Sequence, residues 1–126
     1  MIYSKIVLDH FLAPRNVGRL EPPCFRSEIV SSDCDDRVVL SLSTDGRVIT
    51  DAKFLATACA VATSSLSVLT EMLKGITIDE AWKIGVERVE QALGGVPLEK
   101  RGCVMHSIKA LKECLAQCDT GASPVQ

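Results

Sequence analysis

Residues 54–75 constrain this chain more than any other stretch, because an extended run from Phe54 passes through Cys59 directly into a helix. At about 100° per residue, Val61, Ala62, Leu66, Val68, Leu69, Met72 and Leu73 fall on one arc, and Thr63, Ser67, Thr70, Glu71 and Lys74 on the other. Such a helix must lay one face on something apolar. Gly75 supplies a left-handed cap at its end. A thiol at a strand-to-helix junction sits beside unpaired backbone N–H groups and the positive end of the helix dipole, which favours thiolate over thiol. Cys59 is therefore a candidate ligand or nucleophile; the competing role is a cysteine packed as a small hydrophobe.

What that helix packs on is set by the residues before it. Residues 25–32, 37–43 and 47–55 read as three short strands joined by two hairpins. Thr44, Asp45 and Gly46 suit a three-residue loop, which places Val38 opposite Ala52, Leu40 opposite Thr50 and Leu42 opposite Val48. One mainly apolar face results, ready to be covered by helices. The same register brings Cys34 near Ala56, close to where the third strand delivers Cys59. Cys34 lies in an acidic turn with Asp33, Asp35 and Asp36, and Asp36 shares its side because alternate residues share a face. An aspartate-rich turn also forms with no ligand at all.

The flanking segments are helical. Residues 2–12 have the spacing of a short amphipathic helix closed by Pro14 and Gly18. Cys24, in a loop beside Pro22 and Pro23, has no activating neighbour. Thr77 and Glu80 form a capping box for a short helix in which Trp82 fills core, and residues 86–93 continue helically to Gly94 and Gly95. Residues 96–103 read as an extended, basic lead-in to a final helix whose apolar stripe is Val104, Ile108, Leu111, Leu115 and Cys118. Cys103 stands at that helix start beside Lys100 and Arg101, which favour its thiolate. Cys114 and Cys118 lie on or near the stripe and read as packing residues. The domain is expected to span residues 1–118, with 119–126 a frayed tail.

A chain of 126 residues forms one domain with an ordinary core and needs no disulfide staples. The six cysteines contain no CxxC pair and read as free thiols, metal ligands or redox groups. A net charge of −2, a pI of about 5.6 and five aromatic residues exclude a nucleic-acid binder, which needs a basic footprint. No apolar run is long enough to span a bilayer and the start lacks a signal-peptide core, so a soluble cytoplasmic protein is expected. Cys34, Cys59 and Cys103 stand apart from the other thiols, each near an element boundary and a charge. Spacing alone does not bring Cys103 to the other two.

The ordered motifs resemble the iron–sulfur cluster assembly scaffold family, of the IscU and NifU N-terminal type. They comprise Tyr3 to His10 with Pro14, Arg15, Asn16, Val17 and Gly18; Cys34, Asp35 and Asp36; Asp51 to Phe54; Cys59 with Ala62 to Ser65; and Lys100 ahead of Cys103. The resemblance implies an α+β fold, a three-stranded antiparallel sheet covered by four to five helices, with the three cysteines converging at one exposed end. It implies a non-enzymatic scaffold on which a transient [2Fe-2S] cluster is assembled. Iron would be held by Cys34, Cys59, Cys103 and Asp36, and sulfur would come from a cysteine desulfurase. The cluster would pass to apo-proteins, with help from a chaperone pair.

This chain departs from that pattern in places. Asp35 replaces a glycine after the first cysteine, Ala58 replaces the glycine before the second, and Gly102 stands where the scaffold type carries histidine. Residues 96–100 match the chaperone-recognition segment only in part. His106 lies one turn beyond Cys103, but about 160° from the centre of the apolar stripe, where an exposed histidine is expected. Two further functions fit the residues. One is a zinc-dependent sulfur acceptor resembling the SufU branch, although the short stretch between Cys59 and Cys103 leaves no room for that branch's insertion. The other is a protein-binding member without a metal site.

Overall fold

The computed structural model describes residues 3–31 and 36–119 of the chain, the side chain of residue 119 apart. Cys34, Asp35 and the expected tail at 120–126 lie outside the described residues. The order of elements is α1 (Lys5–Leu12), β1 (Phe25–Val30), β2 (Arg37–Thr44), β3 (Ile49–Thr57), α2 (Ala60–Leu73), α3 (Ile78–Trp82), α4 (Val86–Ala92) and α5 (Arg101–Asp119), with a 3-10 turn at Leu98–Lys100 before α5. The strands form one antiparallel sheet in the order β1-β2-β3. This is the α+β architecture expected.

The β2–β3 register differs from the expected one. Leu40 pairs with Phe54, Leu42 with Ala52 and Val38 with Ala56. The cause is the turn. The Asp45 carboxylate accepts from the amides of Arg47 (2.9 Å) and Val48 (2.8 Å), while Asp45 N–H donates to the Val48 carbonyl at 3.1 Å. Gly46, at φ +101°, makes that tight reversal without strain. A bulge between Ser43 and Thr44 leaves Thr50 as the extra residue and turns Ile49, not Val48, into the core. The apolar face survives with different members: Leu40, Leu42, Ala52 and Phe54 are all buried. The position inferred for Cys34 beside Ala56 does not, since Val38 occupies it.

Helix α2 is the central element. It packs on β3, α1, α4 and α5 and is buried nearly all round. Part of its polar arc, with Ser64 beside it, is the seat of α1, and hydroxyls pair at the contact. Ser64 Oγ donates to the Val7 carbonyl (2.7 Å), and Ser67 Oγ accepts from the Arg15 amide (2.9 Å) and bonds His10 Nδ1 at 2.7 Å. A buried hydroxyl is tolerated when paired, so a polar arc can be a packed one. Asn16 and Gly18 hydrogen-bond Phe54 on the outer edge of β3, and Ile76 bonds Ile49, so that edge is covered as well.

Helix α5 lies across β1 and β2 and against α2, burying Val104, Ile108, Leu111 and Leu115. Its first turn starts at Arg101, earlier than the extended lead-in expected at residues 96–103. The Arg101 guanidinium holds it there, gripping Glu90 of α4 at 2.9–3.1 Å. The capping box of Thr77 and Glu80 forms as read. Trp82 is half-buried and packs against the core. Among the described residues no helix is long and apolar enough to cross a membrane.

Candidate metal centre

Three elements deliver donor atoms to one place. Cys59 is the N-cap of α2, with φ −68° and ψ 170°, and its sulfur accepts from the amide of Ala62 at 3.5 Å. The strand ends at Thr57, so the chain turns into the helix at the thiol itself. Asp36 precedes β2; its carbonyl accepts from the amide of Ser31 at 2.8 Å, closing the first hairpin. Cys103 occupies the first turn of α5. Donor atoms of Asp36, Cys59 and Cys103 all lie within 4.8 Å of one another.

The centre is more covered than the exposed end expected. Asp36 is 3% exposed and Cys103 5%, and only Cys59 is partly open. Asp36 Oδ1 accepts from the amide of Cys59 at 3.2 Å. Its other oxygen, Oδ2, is shielded from solvent and has only His106 Nδ1, 3.3 Å away, facing it. A carboxylate beside two sulfurs fits a metal: thiolates are soft donors and the carboxylate a hard one, a set that zinc or iron accepts.

Cys59, Cys103 and Asp36 are thus brought together, while Cys34 lies outside the described residues. Arg101, read as support for the Cys103 thiolate, spends its charge on Glu90. Gly102 is not required by packing, since a Cβ there would meet nothing within 4 Å. His106 is the residue whose placement was misread. Its side chain is 20% exposed and its Nδ1 stands 3.3 Å from Asp36 Oδ2. A helical wheel measures distance from the main core and is blind to Asp36, which the start of β2 brings to the first turns of the helix.

Cys24 and Cys114 are structural. Cys24 is buried, with its sulfur 3.9 Å from the Leu20 carbonyl. Cys114 is fully buried against Ser27 and the Leu40 carbonyl, and burial pushes its thiol up to about 12.

The NifU-like N terminal domain model matches residues 2–120. The chain is similar to the iron–sulfur cluster assembly scaffold protein IscU 1 of Archaeoglobus fulgidus, at 38% identity over 90% of this chain and 74% of that protein. It is 34% identical to the IscU scaffold of Aquifex aeolicus over 86% of this chain and 71% of that one. The nitrogen fixation protein NifU of Azotobacter chroococcum is 37% identical over 90% of this chain, which spans only 38% of NifU. Among solved structures, the N-terminal NifU-like protein of Brucella abortus superposes with a TM-score of 0.75 at 22% identity, covering 94% of this chain and 95% of that one. A Fervidobacterium islandicum protein described as a scaffold for the SUF system gives 0.73 at 25% identity, over 90% of this chain and 96% of that one. The chain belongs to the NifU-like N-terminal domain family, the iron–sulfur cluster assembly scaffolds that its motifs resemble.

Proposed function

We propose that this chain is a scaffold for building and handing on a transient [2Fe-2S] cluster, which it holds as cargo through Cys34, Cys59, Cys103 and Asp36. It is not an enzyme by itself. Sulfur arrives from a cysteine desulfurase, and the finished cluster passes to apo-proteins, with a chaperone pair assisting. The observation that carries this reading is the meeting of Asp36, Cys59 and Cys103 within 4.8 Å from three separate elements. Iron and sulfide prefer thiolates, and cysteine can carry persulfide sulfur. A single oxygen donor weakens the hold relative to four thiolates, which suits cargo that must leave. Cys59, the partly open thiol, is the entry point for sulfur or iron.

A zinc-dependent sulfur acceptor is the second reading. The mixed sulfur and oxygen donors at this spacing favour it, because a closed tetrahedral site of this kind is ordinary zinc chemistry. Replacing Cys34, Cys59 and Cys103 singly by alanine, then assaying iron, sulfide and zinc under anaerobic conditions, separates the two. Loss of iron and sulfide together supports the scaffold, whereas loss of zinc alone supports the acceptor. Unchanged metal content in all three variants rules out both.

A further inference from the structure

Two solvent-shielded polar atoms face each other in this centre, Asp36 Oδ2 and His106 Nδ1, 3.3 Å apart, and neither has another partner among the described residues. With the imidazole neutral and its proton on Nε2, two lone pairs face each other and each atom costs about 1–3 kcal/mol to bury. A shared cation would satisfy both at once. Donors about 2.0–2.2 Å from a tetrahedral zinc lie about 3.3–3.6 Å from each other, and these two atoms stand at the lower end of that range. His106 reaches the centre from α5, one turn after Cys103, so the same helix supplies a sulfur and a nitrogen on neighbouring turns.

We infer that His106 is a metal ligand of this centre, its Nδ1 joining Asp36, Cys59 and Cys103 on a divalent cation. This rests on the metal-binding reading above. His106 stands at the Asp36 corner, outside the group already within 4.8 Å, so its ring turns towards the sulfurs to complete the set. A neutral imidazole adds a donor without adding to the negative charge of two thiolates and a carboxylate. It also gives the site four donors without Cys34. The cation is therefore held with no contribution from Cys34.

The test uses cadmium-113 as the metal and the full chain labelled with nitrogen-15 histidine, in the wild type and in Cys34→Ala. The chain has only two histidines, and His10 is sequestered between α1 and α2, so it serves as an internal control. In Cys34→Ala, one bound cadmium and a cadmium–nitrogen coupling at His106 are expected, with none at His10. Adding His106→Ala should weaken cadmium binding about 10-fold or more. His106→Gln and a metal-free melting curve for each variant guard against misfolding. Absence of coupling together with affinity unchanged by His106→Ala in the Cys34→Ala chain overturns the inference. If Cys59→Ala and Cys103→Ala abolish binding in that case, only the role of His106 falls. If they too leave binding intact, the metal-centre reading itself falls.

Discussion

The amide of Cys59 donates to Asp36 Oδ1 across 3.2 Å, so the residue that opens α2 is held by the residue that leads into β2. The backbone at Cys59 and the Asp36 carboxylate are therefore tied together. Asp36→Ala removes this bond, worth about 0.5–1.5 kcal/mol, and leaves the Cys59 amide and His106 Nδ1 without the carboxylate that faces them. Urea titration of the metal-free variant should show stability lower by about 1–3 kcal/mol. Metal affinity of the same variant should fall at least about 10-fold. Unchanged or higher stability in the metal-free state would mean that the carboxylate does not hold this junction.

Accessibility separates the thiols. Cys59 is partly open, whereas Cys114 is fully buried with its thiol pushed up to about 12. Brief alkylation of the native, metal-free chain with iodoacetamide should label Cys59 and spare Cys114 and Cys24, as read by peptide mass spectrometry. Zinc added first should protect Cys59. Equal labelling of Cys114 in the native chain would contradict the packing described.

His10 couples stability to pH. Burial, and secondarily the Arg15 charge, lowers its pKa below the ordinary 6.5, with Glu71 and Asp9 pulling the other way. Below 6.5 the unfolded chain then binds a proton that the folded chain refuses. The stabilisation is complete above 6.5 and shrinks as pH falls from there towards the folded-state pKa. Urea midpoints measured from about pH 8 to about pH 5 should fall more steeply for the wild type than for His10→Gln. Parallel profiles would remove His10 from the explanation.

Gly102 offers a control beside a donor, Cys103, that supplies no donor atom itself. A methyl group there meets nothing within 4 Å, and the residue lies in the first turn of α5. Gly102→Ala should stabilise the chain by about 0.5 kcal/mol through reduced freedom of the unfolded state. Its melting temperature should rise slightly with metal content unchanged; a drop in either would show that the glycine serves the centre directly.

Signals confined to a few neighbouring residues were legible in the sequence. The capping box of Thr77 and Glu80, the junction at Cys59 and the stripe of α5 all appear where they were read. Failures came where a side chain overrode a backbone rule. The Asp45 carboxylate chose the turn and with it the pairing of Leu40 with Phe54, against a loop deduced from Gly46 alone. Hydroxyls of Ser64 and Ser67 hid a buried face, because paired polar groups pack as well as apolar ones. His106 was hidden for a related reason: its partner, Asp36, is distant in sequence and no periodicity connects them. Cys103 joined the centre only through the resemblance, until the packing of α5 brought it beside Asp36 and Cys59.

X-ray absorption at the iron edge of the anaerobically reconstituted chain tests the central claim most directly, comparing the wild type with Cys59→Ala and Cys103→Ala. A sulfur shell with an iron–iron scattering path is expected in the wild type, and loss of the iron–iron path in either variant. Iron bound by oxygen and nitrogen alone in the wild type, or the same iron–iron path in both variants, would contradict it.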